Sequence, residues 1–225
     1  MKLKYLKFWD ILIITIIMLG PAIWNSTQIF FTASGQPEQI VFTTQDNIRA
    51  ICIQSAQLMI ALAYLWLRKF DFSNWKFKIT IKHTIYGIGI FFLLGFLMDL
   101  LNIAMNGWGW MFDLLSYNTP FLTALSEVTF SVVIFSLLNG FYEEIFFLGI
   151  CTAVKAEHQN YAFIYALIIR FIFHTYQGII PALGIGLILG IIYYFLYKKK
   201  TENLYPYMFS HTLADIFGIS LIHFL

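Results

Sequence analysis

Apolar stretches of roughly 20 residues recur along this chain, and that recurrence constrains its fold more than any other feature. Each stretch can cross about 30 Å of hydrocarbon at about 1.5 Å rise per residue. Lipid offers no partner to an unpaired backbone amide, so such stretches must cross as helices. Seven are expected, near Phe8 to Phe31, Ile48 to Leu67, Thr84 to Met105, Phe121 to Ala156, Tyr161 to Ile179, Pro181 to Tyr197 and Leu204 to Leu225. The expected fold class is all-α, a polytopic transmembrane helical bundle. Three spans fall in residues 1–120 and four in residues 121–225, forming one integrated membrane domain. The fourth stretch exceeds what a bilayer needs, so it is tilted, kinked near Gly140, or extended into the cytosol. Only 12% of the 225 residues are charged, against about a quarter in a soluble domain. A bilayer explains the deficit.

The cations test the arrangement, because loops on the cytosolic side carry an excess of Lys and Arg. With the N-terminus inside, the inner segments hold Lys2, Lys4 and Lys7, then Arg68, Lys69, Lys76, Lys78 and Lys82, then Lys155, then Lys198 to Lys200. These are 12 of the 14 Lys and Arg. The outer segments, Ala33 to Asn47 and Asn106 to Pro120, are expected to hold none, and Trp108 and Trp110 suit an interfacial belt. The basic, aromatic loop Arg68 to His83 suits an anionic inner leaflet. No short apolar core with a small-residue cleavage site is present, so the first span is expected to remain. The cysteines, Cys52 and Cys151, fall near opposite faces, which argues against a disulfide or a cysteine metal site.

A charged side chain at mid-membrane costs roughly 2.5–3.5 kcal/mol on insertion scales, so each one needs a reason. The candidates are Asp99, Glu127, Glu143, Glu144, Arg170, His174, His211 and Asp215. Glu127 falls near the outer surface, where hydration makes it cheap, and Asp99 with Asn102 suits helix packing. The others lie on three C-terminal helices. Glu143 and Glu144 are adjacent, in a run that begins at Asn139. Two neighbouring carboxylates in a low-dielectric site cannot both ionise easily, which suits proton exchange with water. His211 and Asp215 are four residues apart and share a helix face. Counted from the cytosolic ends, the glutamates, His174 and His211 lie on the order of 10–20 Å deep. Alone, each has an ordinary explanation as a packing or capping residue. Together they point to one shared site open to the cytosol.

The constellation resembles the intramembrane CAAX-processing and bacteriocin-self-immunity peptidases, also called the abortive-infection family. That pattern reads Glu-Glu-x-x-x-Arg, Phe-x-x-x-His and His-x-x-x-Asn or Asp on successive helices. Glu143-Glu144, His174, and His211 with Asp215 match it, over roughly Asn139 to Gly218. Gly149, the glycines 184, 186 and 190, and Asn203-Leu-Tyr-Pro206 accompany the matching residues. Leu148 stands where the pattern has arginine, and Arg170 stands where it has phenylalanine. Arg170 is one turn before His174, so the cation could have moved between helices with its glutamate pairing kept. The alternative is that Arg170 snorkels to a membrane surface. The first three spans add nothing to the resemblance.

The resemblance implies peptide hydrolysis without a covalent intermediate. Glu143 would be the base, His174 would orient the water, Glu144 would hold the shared proton and the geometry, and His211, held by Asp215, would donate to the oxyanion. Arg170 and Asn139 would support them. A divalent metal such as zinc, on Glu143, His174 and His211, stays open. So do two other functions: a non-catalytic membrane regulator or immunity protein that binds a membrane partner, and a proton-coupled carrier. Expected partners are the bilayer and a peptide or membrane-protein substrate, with no nucleic acid. The expected location is a cell membrane, multi-pass, in a low-GC bacterium. Substrate identity and oligomeric state are not legible.

Overall fold

A computed structural model describes residues 2–32, 43–116, 125 and 128–222 of the chain. Eight helices organise the described residues: α1 (Phe8–Thr32), α2 (Thr44–Leu67), α3 (Ile81–Asn106), α4 (Trp108–Ser116), α5 (Phe130–Glu144), α6 (Gln159–His174), α7 (Ile179–Lys199) and α8 (Tyr205–Phe217). α5 runs on as a π-helical segment, Ile145–Ile150, and α7 contains another, Gly184–Leu189. Local chemistry sets several starts. Thr43 caps α2 in a capping box with Asp46, Thr80 and Thr129 cap α3 and α5, and Pro206 opens α8.

Five of these helices are long and apolar enough to cross a membrane: α1, α2, α3, Phe130–Ile150 and α7. The protein is a multi-pass membrane protein. Large apolar side chains left outside the bundle fit that medium. On α3, Ile81, Ile85, Phe92, Phe96 and Leu100 form an exposed stripe, while Ile90, Leu94 and Met98 are buried behind it. The expected count of seven spans is not reached among the described residues. α6 has 16 residues and α8 has 13, about 24 Å and 20 Å of helix. The apolar runs of the sequence continue past both helix ends, into the turn at Thr175–Gln177 and beyond Gly218. The fourth stretch, expected to tilt, to kink near Gly140 or to extend into the cytosol, passes from α to π after Glu144. The start of the fourth stretch, most of the expected outer segments and Glu127 lie outside the described residues.

Phe130–Ile150, α5 with its π extension, is the most deeply buried of the five, 61% against 17–33% for the others. One end of the bundle gathers the basic segments. Leu3 pairs with Phe70, the Leu6 amide donates to the Ala153 carbonyl, and Lys76 pairs with Asn203. Asn203 exchanges side-chain hydrogen bonds with the backbone of Lys78, which fixes the start of α8. Asp10, absent from the sequence-based candidates, is buried here and accepts from Arg68 at 2.7 Å and Tyr64 at 2.7 Å. Asp99 is structural, as expected. It accepts from Ser220 Oγ and from the amides of Leu221 and Ile222, tying the chain after α8 to α3. Cys52 and Cys151 are both free thiols.

Candidate active site

Glycines decide how closely the site-bearing helices approach. A Cβ on Gly140 would lie 2.7 Å from the Met208 carbonyl oxygen, so α5 and α8 touch there backbone to backbone. Thr212 strengthens the crossing by donating to the Ser136 carbonyl at 3.2 Å. One turn beyond Gly140 come Glu143 and Glu144, and one turn along α8 from Met208 comes His211. The crossing therefore presses an imidazole against two carboxylates. Gly186 does the same for α6 and α7: a Cβ there would meet the Phe171 backbone at 2.7 Å, beside Arg170.

Arg170 forms a two-pronged ion pair with Glu144, Nη1 to Oε1 and Nη2 to Oε2, each at 2.9 Å. Arg170 is 1% exposed, and its guanidinium carbon lies 3.9 Å from the Phe147 ring centroid. Phe147 in turn stacks on Phe173, holding this face dry. Arg170 does not snorkel. It supplies from α6 the cation that Leu148 cannot supply from α5, and Leu148 is buried in the same small cavity wall.

His211 donates from Nδ1 to Glu144 Oε1 at 2.7 Å, which turns Nε2 toward Glu143 Oε2 at 3.8 Å and Asp215 Oδ1 at 3.6 Å. Asp215 was expected to hold His211. It stands within ion-pair reach of Nε2 and makes a hydrogen bond to Asn139, while Glu144 accepts the hydrogen bond of the imidazole. Asn139 donates from Nδ2 to Glu143 Oε1 at 3.2 Å and to Asp215 Oδ2 at 2.9 Å. Its Oδ1 accepts from Gln54 of α2 at 2.7 Å. Glu143 Oε2 is buried without a hydrogen-bond partner. Burying such an oxygen is costly unless something polar reaches it. The two adjacent carboxylates thus have different tasks: Glu144 is fully engaged, and Glu143 keeps one oxygen bare.

His174 is buried, and its Nδ1 bonds the Arg170 carbonyl one turn back at 2.7 Å, leaving Nε2 for another partner. Among the described residues, the donor atoms that gather within 4.8 Å are those of Glu143, Glu144 and His211, and His174 is not in that group. Both Glu144 oxygens and His211 Nδ1 are already engaged. Glu143 Oε2, His211 Nε2 and His174 Nε2 are free, but the His174 nitrogen lies outside the gathered group, whereas catalytic zinc holds three protein ligands around one ion. As arranged, these residues do not fit a zinc site on Glu143, His174 and His211.

Gln54 escaped the sequence reading. A lone amide in an apolar span was a signal of the same kind as the charges, and Asn47, Gln54 and Gln57 on one helix repeat it.

The chain was compared with known proteins. The family described as type II CAAX prenyl endopeptidase, Rce1-like, matches residues 125–217. No curated protein and no solved structure matches.

Proposed function

We propose that this chain is an intramembrane endopeptidase that hydrolyses a peptide bond with water activated by Glu143, a reading supported by the match of residues 125–217 to the Rce1-like CAAX endopeptidase family. The observation that carries the reading is Glu143 Oε2, buried, without a partner, and 3.8 Å from His211 Nε2. A carboxylate left bare beside an imidazole can receive a proton from water.

In the proposed step, Glu143 takes a proton from water as the water oxygen adds to the scissile carbonyl carbon. The carbonyl electron pair moves to oxygen, and the oxyanion accepts a hydrogen bond from protonated His211 Nε2. When the carbon–nitrogen bond breaks, Glu143 returns the proton to the leaving amine. His174 donates from Nδ1 to the Arg170 carbonyl, so its Nε2 is free to orient the water. Glu144, clamped by Arg170, fixes the His211 ring. No serine or cysteine takes part in the proposed step, and Cys151 is a buried free thiol. Proton transfer runs through these side chains without a metal.

The proposed substrate is a peptide or lipidated peptide presented at the membrane, with bacteriocin-leader processing or self-immunity as its cellular use. The basic end would face the cytosol of a bacterial cell. The non-catalytic alternative drew on the loss of the arginine at Leu148. Arg170 restores that guanidinium, which weighs for a working site.

The test uses the purified chain in liposomes with a farnesylated peptide ending in a CAAX sequence. The wild type is expected to cut it, and Glu143→Gln is expected to insert normally and not cut. Cleavage that survives Glu143→Gln overturns the reading, as does a wild-type protein that leaves the peptide intact.

A further inference from the structure

The family match begins at residue 125, yet the site leans on α2. α2 and α5 meet through a ladder of polar side chains: Asn47 donates to Ser131 at 3.2 Å, Gln54 to Asn139 at 2.7 Å, and Tyr142 to Gln57 at 2.9 Å. The rungs advance in the same direction along both helices, so α2 and α5 run parallel in near-constant register. Only the middle rung leads into the site.

We propose that Gln54 is a positioning residue for the peptidase reaction, holding the Asn139 amide so that its NH2 group bridges Glu143 and Asp215. The inference rests on the reading of Glu143 as the base. An amide side chain has one acceptor end and one donor end, and nothing in its shape says which faces where. Here Gln54 Nε2 meets the acceptor end of Asn139, and the donor end is left for both carboxylates. Turned over, Asn139 would set its oxygen against two carboxylates and an amide N–H against another N–H. The Gln54 amide is itself committed: its Oε1 is buried without a partner, so its ordered contact at this point is the one to Asn139. The chain Gln54–Asn139–Glu143 sets the direction of the carboxylate plane and therefore of the bare Oε2. Asp215, held by the same NH2 group, stands 3.6 Å from His211 Nε2, so one amide aligns both groups that flank that nitrogen. α2 thereby becomes part of the catalytic apparatus and not only a lipid-facing wall.

The experiment is a double-mutant cycle on the full chain in liposomes with the farnesylated CAAX peptide. Gln54→Leu is expected to lower kcat on the order of tenfold with KM little changed, the signature of an interaction felt in the transition state. In an Asn139→Ala background the same substitution is expected to lower kcat no further, because its route is already cut. Asn47→Ala, which removes a rung leading nowhere near the carboxylates, is expected to leave kcat unchanged. A Gln54→Glu variant guards against simple misfolding. Its carboxyl can donate to Asn139 only while protonated, so its kcat relative to Gln54→Leu should rise as pH is lowered. Equal losses from Gln54→Leu with and without Asn139, or a loss from Asn47→Ala as large as that from Gln54→Leu, overturn the proposal. The Glu143→Gln control separates the two failures. If that variant still cuts, the peptidase reading falls; if it is dead and the cycle shows no coupling, only the role of Gln54 falls.

Discussion

The two flanks of the site are built on opposite rules. On the Arg170 flank the charges are matched: two carboxylate oxygens meet two guanidinium nitrogens, an imidazole N–H meets the same carboxylate, and aromatic rings close the outside. On the Asn139 flank a single amide serves two carboxylates, and one buried oxygen of Glu143 is left over. A closed network holds a shape, and an incomplete one has capacity for a reactant. Two identical residues in sequence therefore divide into a fixed post and a working group, according to which neighbouring helix each one faces.

The sharpest way to break this contrast is to neutralise each glutamate in turn. Glu143→Gln should lose about 10²- to 10⁴-fold in turnover, the range for removing a general base. It should unfold little more easily than wild type, because the oxygen it replaces accepts no hydrogen bond. Glu144→Gln should do the reverse in kind, weakening the fold first. Thermal denaturation in detergent, measured beside turnover, separates the two. Equal stability losses in both variants would end the division of labour.

Next in size is the buried ion pair. Arg170→Leu leaves Glu144 charged and unmatched in an apolar interior, and breaking such pairs costs about 3–5 kcal/mol. Adding Leu148→Arg returns a guanidinium one turn from Glu144 on its own helix. The double variant should regain a large part of the lost stability and of any lost turnover. If it behaves no better than Arg170→Leu alone, the idea that the cation moved between helices fails.

Much of this was legible in the residues, for a definite reason. Charges are expensive in lipid, so Glu143, Glu144, Arg170, His174, His211 and Asp215 stood out from their apolar surroundings. Apolar length gave the full spans α1, α2, α3, α5 and α7. For α6 and α8 it ran longer than the helices, because hydropathy continues past the points at which the backbone leaves the helix. Which glutamate faces Arg170 was illegible, because that depends on the α5–α8 crossing at Gly140 and on the π segment beyond it. Gln54 was missed because an uncharged amide resembles ordinary helix glue until its partner is known.

Smaller still should be the effect of a methyl group at the crossing itself. Gly140→Ala places a Cβ against the Met208 carbonyl oxygen at 2.7 Å and the Thr212 hydroxyl at 2.8 Å. The helices must part slightly, at a cost of about 1–3 kcal/mol. Parting α5 from α8 lengthens the His211 contact with Glu144, so turnover should fall together with stability. The control is Gly89→Ala on α3, where an added Cβ meets nothing within 4 Å. Turnover that survives Gly140→Ala at full rate would mean the crossing does not set the site.

The smallest expected effect probes whether the matched flank is truly closed. A divalent ion bound by Glu143, Glu144 and His211, the three donors that approach within 4.8 Å, would have to compete with Arg170 for both Glu144 oxygens. It would also have to displace the His211 proton that Glu144 accepts. Repulsion between the ion and a guanidinium held in the same dry pocket adds to that cost. Prolonged treatment with a chelator, followed by assay in metal-free buffer, is therefore expected to change turnover by less than about twofold, an effect worth under about half a kcal/mol. The treated protein should also melt at the untreated temperature, since a lost resident ion would lower it. Loss of activity or of melting temperature that is restored by zinc would place a cation among those carboxylates. Arg170 would then have to release Glu144, and the matched flank would be a state that the metal opens.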